Sequence, residues 1–437
     1  MYLKRDFFKN VLKVGGAAIL AQLVGILTAP IFARLFSPEV VGQYTLFISL
    51  IGIFGVFATL RYEAALMLPK ENEVALNILV GSGCIALIYS LFLFVLIYTI
   101  GPFLYEIGDY SSIKSYILLI PIFVLVSSWI KLLQYWIIRK KTFDFNAKLT
   151  VFYSVGVKVG NVSLGFLGFV SNGALILIYM FFQLLELVMR ILNILKSDIN
   201  RFFATVNVKQ IWSILVRYKR FPLIDVWNGF LDTGSLLIVP ILLSFYFSSS
   251  DVGLYSQSLN LVQLPLTLIA YTFGQVIFQR LSEAKHTGEL APVVAESFIF
   301  LLLISVPIFT VVFFWGREIF SFFLGRTWAI SGVYAELLAP WCCLKMAFSP
   351  LSTIFGVTER QDLSLIITIT TIMTRVLAIV IGGIYNSCYL AILLFGISGV
   401  VVNLIGTALL FYVSNMKWQY MQNAFTNNVF FVILRKI

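Results

Sequence analysis

Apolar runs, each about the length of a membrane crossing, follow one another along almost the whole chain. Roughly 20 apolar residues in helical form cross a hydrocarbon core. Twelve such runs are predicted, at about 11–33, 41–65, 75–100, 115–138, 149–170, 173–195, 221–246, 253–279, 292–315, 331–357, 363–385 and 388–412. The first follows a basic stretch, "MYLKRDFFKNVLK", and is read as a retained span because it exceeds a signal-peptide core. In the tail, "VFFVIL" is too short to span and is expected at the membrane interface. The pattern predicts an all-α integral membrane protein with no room for a large soluble domain.

The pattern also repeats. "FSPEVVGQY" at 36–44 and "FSSSDVGLY" at 247–255 both read F-S-x-x-x-V-G-x-Y, 211 positions apart. Each falls in the break between the first and second helix of a set of six. A second echo, "LLIP" at 118–121 and "LLAP" at 337–340, opens the fourth helix of each set. The longest polar connection, 196–222, separates the sets. A duplicated six-helix unit is therefore expected, with lobes at about 1–200 and 201–437. Six is an even number, so both lobes point the same way across the bilayer and are related by a pseudo-two-fold along its normal.

Within the runs, polar residues recur at helical spacing on particular helices. Helix 1 carries Gly15, Ala18, Gln22, Gly25 and Ala29; helix 2 carries Thr45, Ser49, Gly52, Thr59 and Glu63. Helix 7 carries Asp225, Asn228, Asp232 and Ser235, and helix 8 carries Asn260, Gln263, Thr267, Tyr271 and Gln275. Helices 3 and 9 have no such stripe. Small polar stripes also serve plain helix packing, which explains helix 1 equally well. The carboxylates and amides of helices 7 and 8 favour a water-accessible cavity lined by the first two helices of each half.

Charge adds orientation. The N-terminus, the even-numbered loops and the C-terminus hold 20 of the 31 Lys and Arg residues and the odd-numbered loops four, so both termini are expected in the cytoplasm. The net charge of +11 at 12% charged residues then reads as a basic cytoplasmic face against anionic lipid, not as nucleic-acid binding. Lys158, Lys345, Arg375 and Asp232 fall deep in spans, where a charge is costly without compensation. Lys131 lies about 12 Å from the cytoplasmic edge, within snorkelling range. Arg61 and Glu63, at the exit of helix 2, fit a structural ion network or a substrate contact. Glu186 and Arg190 have the spacing of a local ion pair.

The four cysteines, Cys84, Cys342, Cys343 and Cys388, lie in apolar runs without metal-ligand spacing. The one histidine, His286, cannot build a relay of clustered histidines. No phosphate-binding, zinc-hydrolase or serine-hydrolase motif appears, and no cofactor is expected.

At "ARLFSPEVVGQY" and "LRYEAALMLPKENEVA", within residues 21–75, the chain resembles bacterial polysaccharide transporters. These are the O-antigen flippases of the multidrug/oligosaccharidyl-lipid/polysaccharide (MOP) exporter superfamily. The resemblance implies a MATE-like, V-shaped carrier of the bacterial inner membrane, with its cavity between the two lobes. It implies transfer of an undecaprenyl-pyrophosphate-linked oligosaccharide from the cytoplasmic to the periplasmic leaflet, and polymerase or chain-length machinery as partners. Lipid II flippases of the superfamily carry arginines in helix 1, where this chain has Gln22 and Thr28; that departure points away from lipid II. Lys158, Lys345 and Arg375 are candidates to offset the pyrophosphate. Asp225 and Asp232 are candidates to hold those cations when the site is empty, or to bind H⁺ or Na⁺. Arg61, Glu63, Lys131, Gln22, Asn228, Asn260 and Gln263 complete the candidate set. A multidrug cation antiporter on the same fold and a polytopic O-unit polymerase are the alternatives. The first prefers an acidic cavity, and the second a large outer loop.

If the stripe of helix 7 and the deep lysine of helix 5 line a substrate path, Asp232→Asn and Lys158→Ala each cripple surface glycan display at normal protein levels. Whole-cell glycan staining beside an immunoblot measures this, and wild-type display in both variants would overturn the cavity assignment.

Overall fold

The computed structural model of the chain describes residues 22–104, 114–205 and 208–427. These residues are helical almost throughout: α1 (Gln22–Leu35), α2 (Pro38–Ala58), α3 (Tyr62–Ala65), α4 (Asn72–Leu104), α5 (Ile120–Arg139), α6 (Phe143–Phe166), α7 (Asn172–Thr205), α8 (Val208–Arg217), α9 (Val226–Tyr246), α10 (Ser249–Val262), α11 (Leu264–Thr287), α12 (Leu290–Leu324), α13 (Ala329–Phe348), α14 (Ile354–Val357), α15 (Gln361–Ile384), α16 (Cys388–Val413) and α17 (Trp418–Asn427). Among the described residues, nine helical segments are long and apolar enough to cross a membrane, or ten if a bent pair counts as one span.

Several predicted spans depart from single straight helices, and two of them carry a proline at an irregular turn. The run at 221–246 opens with a π-helical turn at Phe221–Asp225 that contains Pro222, and bends by 54° between Leu231 and Thr233. The run at 253–279 is two helices, α10 and α11, parted at Gln263 just before Pro265. Proline supplies no N–H and crowds the preceding turn, so the hydrogen-bond ladder breaks there. The first part of the predicted first span, 11–21, lies outside the described residues, as does "VFFVIL".

The chain forms two compact units, Met1–Gly253 and Leu254–Ile437. The packing boundary is not the sequence midpoint near 200, because α9 packs along α2. Gly52 faces Leu237, and Phe57 meets the rings of Trp227 and Phe230, so the two helices run antiparallel. Two apolar clusters tie most helices of the first unit together. One joins α2, α4, α5 and α7 through Phe47, Ile51, Leu93, Phe123 and Ile176. The other joins α3, α4, α5, α7 and α8 through Tyr62, Leu76, Leu79, Trp136, Ile194 and Leu215. Tyr62 donates to the carbonyl of Leu215, which pins the connecting helix α8. In the same unit Arg190 is fully buried and donates to Glu186 at 2.6 and 3.0 Å and to Asn146 at 2.9 Å. The local ion pair expected from the spacing forms, and Asn146 completes it.

The second unit is built on α12, α13, α15 and α16. Its core joins α11 and the 349–357 segment to α12 and α16 through Leu281, Phe298, Phe348, Leu351, Phe355 and Leu410. Close backbone packing recurs at Gly396, which faces the Leu337 carbonyl, and at Gly399, which faces the Trp341 ring.

The internal repeat is written into helix ends. α5 and α14 finish with Lys141 and Glu359 in the left-handed region, and α6 and α15 finish with Gly168 and Asn386 there. In all four the left-handed residue donates to the carbonyl three residues back and its successor to the carbonyl five residues before it, the pairing of a Schellman terminus. Both pairs are 218 positions apart. The nine-residue turn is more directly related to its copy. Ser37 caps α2, and Ser248 together with Asp251 caps α10. The two turns touch: a Cβ on Gly42 would lie 1.7 Å from the Ser249 carbonyl oxygen, and one on Gly253 would lie 1.8 Å from the Pro38 carbonyl oxygen. Ser249 and Gly253 are the 211-offset equivalents of Pro38 and Gly42, so the contact is reciprocal. Only glycine permits this backbone approach.

Gly42→Ala and Gly253→Ala are each expected to cost about 1–3 kcal/mol, the cost of overpacking a close contact. Combined, they should cost less than the sum, because one displacement relieves both. Thermal unfolding of purified protein in detergent measures this; full additivity would show that the glycines act at separate places.

Candidate functional site

The exit of α2 sets the site. After Ala58 the chain passes through Leu60 and Arg61, both with positive φ, before the short α3. Two successive non-glycine residues in the left-handed region are strained, and such backbone is kept where surrounding contacts hold it. The turn sends Arg61 toward α9 and Glu63 toward α5, so neighbours in sequence reach different partners. Glu63 is 1% exposed. One carboxylate oxygen accepts from the Thr59 hydroxyl at 2.5 Å, and the other meets Lys131 Nζ at 2.5 Å in a charge contact without hydrogen-bond alignment. Arg61 Nε lies 3.6 Å from Asp225 Oδ2, also short of a hydrogen bond. Its guanidinium lies against Gly229, where a Cβ would fall 3.0 Å from Nε.

Arg61 and Lys131 stand on the wall of one cavity of about 270 Å³ inside the first unit. The rest of the wall is apolar or small: Ile48, Ile51, Gly52, Gly55 and Val56 of α2, Ser127 and Ser128 of α5, Tyr179 of α7, and Gly229, Thr233 and Leu237 of α9. Two cations thus line the cavity, while the carboxylates they contact, Glu63 and Asp225, lie outside its lining. Such a space suits an anionic group, since two cations are already positioned on its wall.

The other expected residues are distributed as follows. Lys158 of α6 is half-buried and lies against α1, where a Cβ on Gly25 would fall 2.6 Å from its Nζ. Gln22 is half-buried on the same helix. Asn228 is exposed one turn after Asp225, and the side chain of Asp232 lies outside the described residues. In the second unit Asn260 is exposed on α10, and Gln263 is half-buried at the break before α11. Lys345 and Arg375 both lie over the indole of Trp341, at 4.9 and 5.5 Å from the ring, and Arg375 also lies 5.3 Å from the Phe395 ring. Arg375 is 6% exposed, so in this conformation it is a buried cation on aromatic faces rather than a residue on an open wall.

Sequence reasoning paired neither Glu63 with Lys131 nor Arg61 with Asp225. It also missed Ser127, Ser128, Tyr179 and Thr233. The adjacent serines in the apolar run "IFVLVSSWI" were the available signal.

Residues 31–332 match the protein family described as polysaccharide biosynthesis protein. A Shigella flexneri protein named "Putative O-antigen transporter" is 22% identical over 367 residues, covering 79% of this chain and 83% of its own length. The fold is similar to lipid II flippase MurJ in its inward closed conformation, at a TM-score of 0.73 and 14% identity, covering 97% of this chain and 92% of that one. It is also similar to an inward-facing multidrug resistance MATE transporter of the MOP superfamily, at 0.70 and 13%, covering 90% and 96%.

Removing the Lys131 charge while Glu63 stays buried should destabilise the first unit. Lys131→Met is expected to cost about 1–3 kcal/mol, less than a fully buried pair because Lys131 is more than a third exposed. Glu63→Gln added to it should recover most of the loss. Melting temperatures of the three variants test the coupling, and no recovery would break it.

Proposed function

This chain belongs to the polysaccharide biosynthesis protein family, and we propose from that membership and from its cavity that it is the flippase of a lipid-linked oligosaccharide. The substrate is a polyprenyl pyrophosphate, undecaprenyl in bacteria, carrying an O-antigen or related repeat unit. It moves from the cytoplasmic to the periplasmic leaflet of the inner membrane by alternating access. Twelve spans with both termini cytoplasmic accommodate this, as the lysine and arginine bias favours. Polymerase and chain-length machinery on the periplasmic side are the natural recipients of the product.

The observation that carries the reading is the pair of cations, Arg61 and Lys131, on one cavity wall among membrane helices. A pyrophosphate cannot enter hydrocarbon unaccompanied, whereas its prenyl tail can stay in lipid. Cations held by movable acids supply the compensation, and Lys158 on the neighbouring α6 is a further source. The membrane potential, negative inside, favours outward movement of an anion by roughly 2.3 kcal/mol per charge per 100 mV across the full field. Coupling to H⁺ or Na⁺ is therefore an addition rather than a requirement. A multidrug cation antiporter would want carboxylates available to a cationic ligand; Glu63 and Asp225 are instead engaged by Lys131 and Arg61.

The test is complementation of a strain lacking its O-antigen flippase. The intact chain should restore surface glycan. Arg61→Ala should lower display at least about tenfold at normal protein levels, on the scale of a lost charge-assisted contact; Arg61→Lys should retain part of it. Full display by Arg61→Ala would remove the cavity from the transport path.

A further inference from the structure

The seam between α2 and α9 has opposite characters at its two ends. At one end the first turn of α2 and the first turn of α10, the helix that follows α9, meet backbone to backbone through Gly42 and Gly253. No side chain separates them, so Cα–H groups face carbonyl oxygens directly. Serine caps on both turns fix the helix starts. Nothing at this end is exchangeable without rebuilding the backbone.

At the other end the seam is closed by side chains alone. Arg61 reaches Asp225 at 3.6 Å with both side chains part-exposed, at 29% and 38%. Ion pairs of this length and exposure exchange readily with water. Both partners stand on irregular backbone: Arg61 on the left-handed turn after α2, Asp225 at the end of the π-helical turn before α9. Between the ends, Gly52 faces Leu237 and Phe57 meets the rings of Trp227 and Phe230, beside the small cavity-wall residues Gly55, Gly229 and Thr233.

We propose that this seam is a hinge and a latch: the Gly42–Gly253 crossing is the fixed end, and the Arg61–Asp225 pair is the latch whose release opens the cavity. Helices are stiff, so motion between two antiparallel helices concentrates where their contact is weakest. The sequence fits this division. Small residues and caps are spent on the crossing, whereas irregular backbone and one long ion pair are spent at the other end. An anionic ligand that draws Arg61 toward the cavity removes it from Asp225. Ligand entry and latch release then favour each other, because a ligand shifts a two-state element only through contacts that differ between the states. That coupling rests on the proposed transport of an anionic lipid-linked substrate; the latch itself does not.

The experiment places a reporter cysteine at Ser128→Cys, a cavity-wall position only 3% exposed, in the full chain in detergent. Its rate of labelling by a water-soluble maleimide is followed, with the parent chain supplying the background of the native cysteines. Asp225→Asn and Arg61→Gln should each speed labelling at least about fivefold. The charge swap, Arg61→Asp with Asp225→Arg, should return the rate to within about twofold of the unswapped reporter. Unchanged labelling in both single variants, in chains that purify and melt normally, would overturn the latch; so would a swap that labels as fast as the singles. Labelling needs no glycan. A chain that fails complementation but shows the expected rates loses the substrate reading and keeps the latch.

Discussion

A charge inside a membrane-spanning helix must be compensated within the protein, and this constraint organises the described structure. Arg190 is held by Glu186 and Asn146, and Lys131 by the buried Glu63, which Thr59 also serves. Arg375 and Lys345 lie over Trp341. These solutions are not equivalent. The Arg190 group is local, fully buried and hydrogen-bonded at short distance, so it stiffens α7 against α6. The Lys131 and Arg61 contacts lack hydrogen-bond alignment and have one or both partners open to water. The same electrostatic need therefore yields a structural ion group in one place and exchangeable ones beside the cavity in another.

Backbone geometry separates the two kinds further. Arg61 and Glu63 are two residues apart, and on a regular helix would point roughly 200° apart around the axis. The left-handed residues Leu60 and Arg61 break the helix between them. One residue is delivered to α9 and the other to α5. Gly229 then lets the guanidinium lie on the backbone of α9. A side chain at that position would push the cation off Asp225 and off the cavity wall together. Strain at residues 60–61 and the absence of a side chain at 229 thus serve one placement.

Much of this was legible in the sequence where the signal is local. Ten of the twelve expected spans fall on described segments long and apolar enough to cross a membrane, one of them bent; 253–279 is two shorter helices, and 11–33 is described only from residue 22. The i, i+4 spacing of Glu186 and Arg190 foretold their pairing. The runs at 221–246 and 253–279 read as continuous spans, and Pro222 and Pro265 within them were the unused signal for their irregular turns. The repeated F-S-x-x-x-V-G-x-Y turn was visible as a repeat; its meaning was not. Hydropathy says nothing about what a glycine faces, and each copy faces the other. The ion pairs Glu63–Lys131 and Arg61–Asp225 were illegible for the same reason, since their partners are 68 and 164 positions apart. Arg375 stood out as a deep charge. Its placement over Trp341 and Phe395 depended on α13 and α16 packing on α15, which no spacing along the chain encodes.

The size of the cavity completes the physical picture. At about 270 Å³ it falls at or below the low end of small-molecule sites. That is enough for a charged head group and far too little for an oligosaccharide. In this conformation the cavity cations are occupied by the protein's own carboxylates. A site for a glycan-bearing anion must therefore gain volume and release those cations. Both changes draw on the same seam, because Gly229 and Thr233 of α9 line the cavity while Asp225 at its start holds Arg61. Volume and charge are then not independent variables of the site. Any movement of α9 away from α2 at the Arg61 end enlarges the cavity and frees a cation at once. The glycine crossing at the opposite end keeps that movement a rotation rather than a separation.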